Sequence, residues 1–133
     1  MVETDFIIAS INRRDPLHSY SMRILERKSE LLLSPYSIVE LDVLVRSGNI
    51  RLKNYAMFFK DLDGFLSYHD IGILSDKASY HAKAEELRSR YGLTYFESLH
   101  ASVALIEGLT IISSDTVYGR VENLRYVHTR KFT

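Results

Sequence analysis

Residues 94–115 carry the clearest hydrophobic rhythm in the chain. Phe96, Leu99, Val103 and Ile106 recur at helical spacing and make one apolar face. Glu97, Ala101 and Ala104 make a second face, whose small residues let another backbone approach and seat Glu97 against the rest of the fold. Gly108 supplies a residue tolerant of positive φ to end that helix. The mostly β-branched run 110–112 predicts a buried strand, with Ser113, Ser114 and Asp115 at its carboxyl end. In parallel α/β sheets, ligands bind at that end.

Earlier in the chain, residues 2–4 predict a very short strand ending at Asp5. The apolar segment 6–11 then turns into a short buried helix. Asp15-Pro16 is a helix start, with Asp as N-cap and Pro at the first helical position, leading into an apolar face of Leu17, Tyr20 and Ile24. Residues 31–33 predict a strand. Ser34-Pro35 repeats the start signal before a helix with Ile38, Leu41 and Val45 on one face, stopped by Gly48, and Glu40 lies off that face. Tyr55, Phe58, Leu62 and Phe65 form another helical stripe, followed by a strand at 71–74. Ser75 or Asp76 is expected to cap a helix whose face is Tyr80, Ala84, Leu87 and Tyr91, ended by Gly92. Residues 116–119 predict a loop or broken turn, 124–128 an edge strand, and Arg130-Lys131 a frayed tail. Strands alternating with helices imply right-handed crossovers and a parallel sheet.

Composition narrows the class. A chain of 133 residues with 46% hydrophobic residues is expected to form one domain, 1–133, around one sizeable core. Cysteine is absent, which excludes a disulfide framework and fits a reducing, cytoplasmic location. No apolar run approaches the ~20 residues that span a bilayer, and acids stand where a signal peptide is basic. The expectation is a protein with no membrane partner. Seventeen basic residues balance seventeen acidic ones, which argues against a dedicated duplex binder. The balance suits a nuclease that meets phosphate through bound cations, and equally a protein with no nucleic-acid partner.

The segment Phe96-Glu97-Ser98-Leu99-His100-Ala101, followed by the strand and Ser113-Ser114-Asp115, resembles the C-terminal half of the PIN domain. In that metal-dependent nuclease fold the run is aromatic-Asp-Ala-Leu-His-Ala, then a buried strand, then Thr-x-Asp. The front of the chain agrees. Asp5 stands at the expected tip of the opening strand, and Ser34-Pro35-Tyr36-Ser37-Ile38-Val39-Glu40 resembles the segment carrying the family's second acid. Two departures stand out. Glu97 replaces an Asp, and Thr116-Val117-Tyr118 lacks the further acid that often follows, which favours one metal ion over two. The resemblance covers nearly the whole chain. It implies an α/β three-layer sandwich, with a short central parallel sheet of four to five strands flanked by helices.

On that fold Asp5, Glu40, Glu97 and Asp115 would converge. Clustered carboxylates raise one another's pKa unless cations share the site, so the cluster is expected to hold Mg²⁺ or Mn²⁺. Each acid also has a plainer role. Asp5 could cap the helix 6–11, Glu40 could be a solvated helix residue, and Asp115 could be a turn residue. Glu97 is either a ligand or one arm of the capping box Thr94-x-x-Glu97. Ser113 fills the family's Thr position as a supporting hydroxyl, while His100 is read as structural. Arg13, Arg14, Arg46, Arg51, Lys53 and Arg120 could meet RNA phosphates, with Tyr36 or Tyr118 available for base stacking.

The resemblance thus implies a metal-dependent endoribonuclease that leaves a 5′-phosphate and a 3′-hydroxyl. It further implies a VapC-like toxin of a type II toxin–antitoxin pair, held by an antitoxin peptide in a hydrophobic groove and forming a homodimer. The aromatic helix from Tyr55 is a candidate wall of that groove, or else a core element. The alternatives are a catalytically weakened RNA- or protein-binding module and a nuclease of RNA maturation.

Overall fold

The computed structural model describes residues 1–27 and 30–132. The helices are α1 (Thr4–Ile11), α2 (His18–Arg27), α3 (Ser37–Arg46), α4 (Tyr55–Tyr68), α5 (Ala78–Tyr91) and α6 (Tyr95–Glu107). The strands are β1 (Leu31–Leu33), β2 (Ile71–Ile73), β3 (Ile111–Ser113) and β4 (Tyr126–His128). β1 pairs with β2 and β3 with β4, both parallel, and Val2 bridges the two pairs by contacting Leu33 and Ile112. The order across the sheet is therefore β2, β1, Val2, β3, β4, which realises the expected short parallel sheet.

Neighbouring residues on a strand face opposite sides of a sheet. Met1 and Ile111 join one hydrophobic cluster with Tyr80, Leu87, Leu99 and Val103, while Val2 and Ile112 join another with Phe6, Leu33, Leu41 and Leu62. The sheet is thus covered on both faces, by α5 and α6 on one side and by α1 and α4 on the other. This is the three-layer α/β sandwich.

Several local expectations shift. The opening strand shrinks to the single bridge at Val2, because the carbonyl of Glu3 already accepts the amide of Phe6 (3.1 Å) and α1 begins at Thr4. Asp5 therefore lies in the first helical turn, and it neither ends a strand nor caps the helix. The Oδ1 of Asp15 accepts from the Leu17 amide at 2.8 Å, which holds Pro16 and Leu17 in a turn and delays α2 to His18. The buried face of α2 is Ser21, Ile24 and Leu25. Neither Ser75 nor Asp76 caps α5, whose N-cap is Lys77; Asp76 instead accepts from the Tyr36 hydroxyl and lies 2.9 Å from His81 Nε2. The region 116–119 becomes a 3-10 turn, Thr116–Arg120. The expected frayed tail forms another, Thr129–Lys131, with Thr129 buried and Arg130 over the Tyr20 ring.

The three expected glycine stops hold, and Gly48 follows the C-cap of α3 with φ of 82°. Gly92 and Gly108 follow α5 and α6 with φ of 67° and 65°, a region a side chain would strain.

Candidate metal centre

Strand register explains why distant acids meet. Val2 pairs with both Leu33 and Ile112, so the next residues, Glu3, Ser34 and Ser113, come side by side at the carboxyl edge of the sheet. Ser113 Oγ lies 3.0 Å from Glu3 Oε1 and 3.0 Å from Asp5 Oδ2, and it accepts the Asp115 amide at 3.0 Å. The Ser114 amide donates to Asp5 Oδ2 at 2.6 Å, and the Ser114 hydroxyl donates to the same oxygen. The other Asp5 oxygen, Oδ1, is buried and accepts no hydrogen bond from the described residues.

Glu40 enters from the first turns of α3. Its Oε1 accepts from the Thr4 hydroxyl and lies 2.8 Å from His100 Nε2. The ring of His100, only 1% exposed, is also 3.5 Å from Glu3 Oε2, and its Nδ1 lies 2.6 Å from Ser34 Oγ. One ligating atom each from Glu3, Glu40 and His100 lies within 4.8 Å of the others.

Glu97 and Asp115 form the third part of the site. Glu97 Oε1 accepts the Thr94 amide at 2.9 Å, so the capping role is realised. Its carboxylate also reaches Asp115 and feels the charge of Arg120. Burial works against ionisation of Glu97, but hydrogen bonds from Thr94 and Asp115 outweigh it and hold this acid below its ordinary range. Asp115 caps the following 3-10 turn through Val117 (3.0 Å). Burial pushes its carboxyl up, and the negative charges of Glu97 and Asp5 add to that.

Glu3 is the most perturbed acid. Burial raises its pKa well above the ordinary 4.5, the charges of Asp5 and Glu40 raise it further, and the Ser113 hydroxyl only partly opposes them. Such a set of oxygens is costly without positive charge. The donor chemistry and the orphaned Asp5 Oδ1 fit a divalent cation.

Of the acids expected from the sequence, Asp5 and Glu40 both lie against Glu3, Glu97 meets Asp115, and Asp115 senses Asp5. Ser113 binds the cluster as expected. Glu3 and His100 were not among the expected site residues. Only His100 carries a signal in the sequence, since it lies three residues after Glu97 and so on the same side of α6; Glu3 is placed by the Val2 bridge, which the sequence does not show. Tyr36 and Tyr118 are 5% and 1% exposed, so neither is available to stack on a base. Arg46 pairs with Asp42 on the exposed side of α3. Arg13 and Arg51 line a separate groove of about 1000 Å³ by the C-terminal half of α1.

None of the curated protein sequences compared with the chain matches it. Among solved structures, similar chains occur in VapBC2 from Rickettsia felis bound to a promoter DNA fragment (TM-score 0.73, 22% identity, 96% of each chain covered). Others occur in DNA-bound VapBC from Salmonella typhimurium (TM-score 0.73, 16% identity, 97% of this chain and 96% of that one). A third occurs in a toxin–antitoxin complex from Klebsiella pneumoniae (TM-score 0.69, 14% identity, 98% of each). At these identities the likeness establishes the fold. The PIN domain family model matches residues 1–124, and the chain belongs to the PIN domain family.

Proposed function

We propose that the chain is a divalent-cation-dependent endoribonuclease whose site is Asp5, Glu40, Glu97 and Asp115 together with Glu3, and that it serves as the toxin of a toxin–antitoxin pair. The observation that carries this reading is the packing of these acids at one sheet edge, with a buried Asp5 oxygen left without a donor. Glu3, Asp5 and Glu40 would hold Mg²⁺ or Mn²⁺, with Glu97 and Asp115 at the outer side. When bound, such an ion makes hydroxide available from water near neutral pH and offsets the charge that builds on the phosphodiester. The chain's own groups hold the acids in place: Ser113 and Ser114 orient Asp5, and the Thr4 hydroxyl orients Glu40. Arg120, exposed and close to Glu97, supplies a cation for an RNA phosphate at the rim.

The antitoxin reading draws support from the groove beside the C-terminal half of α1. Ile8, Ile11, Met22, Ile50, Phe58 and Phe65 give it apolar walls of the kind an amphipathic peptide helix lies against. Of the α4 aromatics, Phe59 and Phe65 pack against the core, while Phe58 and Phe65 line the groove and would be its wall for a peptide. Val39 and Val43, one turn apart on α3 and 50% and 48% exposed, are apolar surface for the expected second copy. No helix among the described residues is long and apolar enough to cross a membrane.

One observation favours the weakened-module alternative: Glu97 and Asp115 each spend an oxygen on a backbone cap. Incubating the protein with single-stranded RNA and Mn²⁺ separates the readings. Cleavage by wild type that is lost in Asp5→Asn and Glu3→Gln supports the nuclease. Equal cleavage by wild type and variants indicates a contaminant and removes the assignment.

A further inference from the structure

We propose that His100 is a nitrogen ligand of this site, which makes it a mixed imidazole–carboxylate centre with Glu3 and Glu40 that favours first-row transition ions over Mg²⁺. The inference rests on the cation-binding reading above and adds a ligand and a selectivity to it.

The placement of the ring carries the inference. His100 sits in the middle of α6, where every residue from Ser98 to Ala104 is buried, so the ring has no route to solvent. A polar ring buried this deeply requires partners for both nitrogens. Nδ1 has one in Ser34 Oγ at 2.6 Å, and the Phe96 ring stacks on the imidazole with centroids 6.4 Å apart. This is how metal-binding histidines are held: one nitrogen fixed to an outer partner, the other presented as ligand. Here the presented atom is Nε2. Without an ion it is hydrogen-bonded to Glu40 Oε1 at 2.8 Å and lies 3.5 Å from both Glu3 Oε2 and the Thr4 hydroxyl, within a cluster of donors that spans 4.8 Å; a cation would take the place of the proton between Nε2 and Glu40. Asp5 shares the Ser113 hydroxyl with Glu3, so it adjoins this donor set through Glu3.

Ligand chemistry then sets the preference. Mg²⁺ takes oxygen ligands and keeps its waters, whereas imidazole nitrogen suits Fe²⁺, Co²⁺, Ni²⁺ and Zn²⁺. In an all-carboxylate site the loss of His100, which holds Glu40, would weaken Co²⁺ and Mg²⁺ alike; in a mixed site it weakens Co²⁺ selectively.

Co²⁺ is the probe. It is titrated into the full chain and followed by visible absorption, with Mg²⁺ as competitor, for wild type, His100→Gln and Ser34→Ala. Folding of each variant is checked by circular dichroism. Wild type is expected to bind Co²⁺ at least ~100-fold more tightly than Mg²⁺. His100→Gln is expected to lose about 10–100-fold in Co²⁺ affinity and clearly less in Mg²⁺ affinity, so that the Co²⁺ to Mg²⁺ ratio falls, and Ser34→Ala to lose about 10-fold in Co²⁺ affinity. Pulsed electron paramagnetic resonance of the wild-type protein loaded with Mn²⁺ reads the ligand without any mutation, and coupling to an imidazole nitrogen is expected. A Co²⁺ to Mg²⁺ ratio that is the same in wild type and His100→Gln, with no nitrogen coupling, overturns the role of His100 and leaves the acidic site standing. Failure of wild type to bind either ion overturns both.

Discussion

Glu3 and Asp5, one residue apart at the start of α1, share a single hydroxyl: Ser113 Oγ lies 3.0 Å from an oxygen of each. One proton cannot satisfy two carboxylates, and the cost falls on the more buried of the pair. Glu3 is accordingly pushed well above its ordinary 4.5, first by burial and then by the charges of Asp5 and Glu40. In the unfolded chain it returns to its ordinary range. A carboxyl whose folded pKa is raised contributes stability below its unfolded pKa and loses it as pH climbs through the folded value. The metal-free protein should therefore lose stability from about pH 4.5 upward, toward neutral pH. Glu3→Gln should flatten that slope and raise the melting temperature at pH 8. Thermal unfolding in chelator across pH 5–8 checks this; a slope unchanged by the substitution contradicts it.

Divalent cations should reverse that loss. Ligand at about 100 times its dissociation constant stabilises a fold by about 2.7 kcal/mol. Mn²⁺ should raise the melting temperature at pH 8, and Glu40→Gln should remove most of the rise. An equal rise in the variant would place the ion elsewhere.

Glu97 performs two roles that substitution can separate. It accepts the Thr94 amide, and it faces Asp115 and Arg120. Gln can still accept the amide, so Glu97→Gln should change stability by less than about 0.5 kcal/mol. Glu97→Ala should cost about 1 kcal/mol, the usual scale of a lost cap. Both should slow RNA cleavage more than about tenfold, because both remove the charge. Denaturant unfolding and single-turnover cleavage measure the two effects; full cleavage by Glu97→Gln would reduce Glu97 to a cap.

The groove beside α1 makes a separate prediction. Ile11 is 38% exposed and lines the groove at the far end of α1 from Glu3 and Asp5. Ile11→Glu should leave stability within about 0.5 kcal/mol, as surface changes usually do. It should leave cleavage intact and weaken a cognate antitoxin peptide more than about tenfold. Undiminished peptide binding would place the partner on another surface.

Much of this was legible in the sequence. The stripes of α4, α5 and α6, the glycine stops at Gly92 and Gly108, and the strands at Leu31 and Ile71 follow from periodicity and turn chemistry. The approach of Asp5 and Glu40 to one sheet edge, where both act on Glu3, was expected only from a resemblance, since nothing local in either segment shows it. The unread parts share one cause. Glu3 belongs to the site because Val2 sits between Leu33 and Ile112, a long-range pairing of one residue that leaves no pattern in the chain. His100 lies against it because α6 is buried all round from Ser98 to Ala104, more than the two faces read from the sequence showed. Tyr36 and Tyr118, expected to be available for base stacking, lie in the core because neither sits in a periodic stripe that would show its side.

The most direct test is anomalous diffraction from a crystal soaked in Mn²⁺. A peak bounded by Glu3, Asp5 and Glu40 at the carboxyl edge of the sheet is the result expected here. A cluster without a peak at full soak, or a peak only among surface carboxylates such as Asp42 or Asp76, would contradict the claim that these acids are held together to bind a cation.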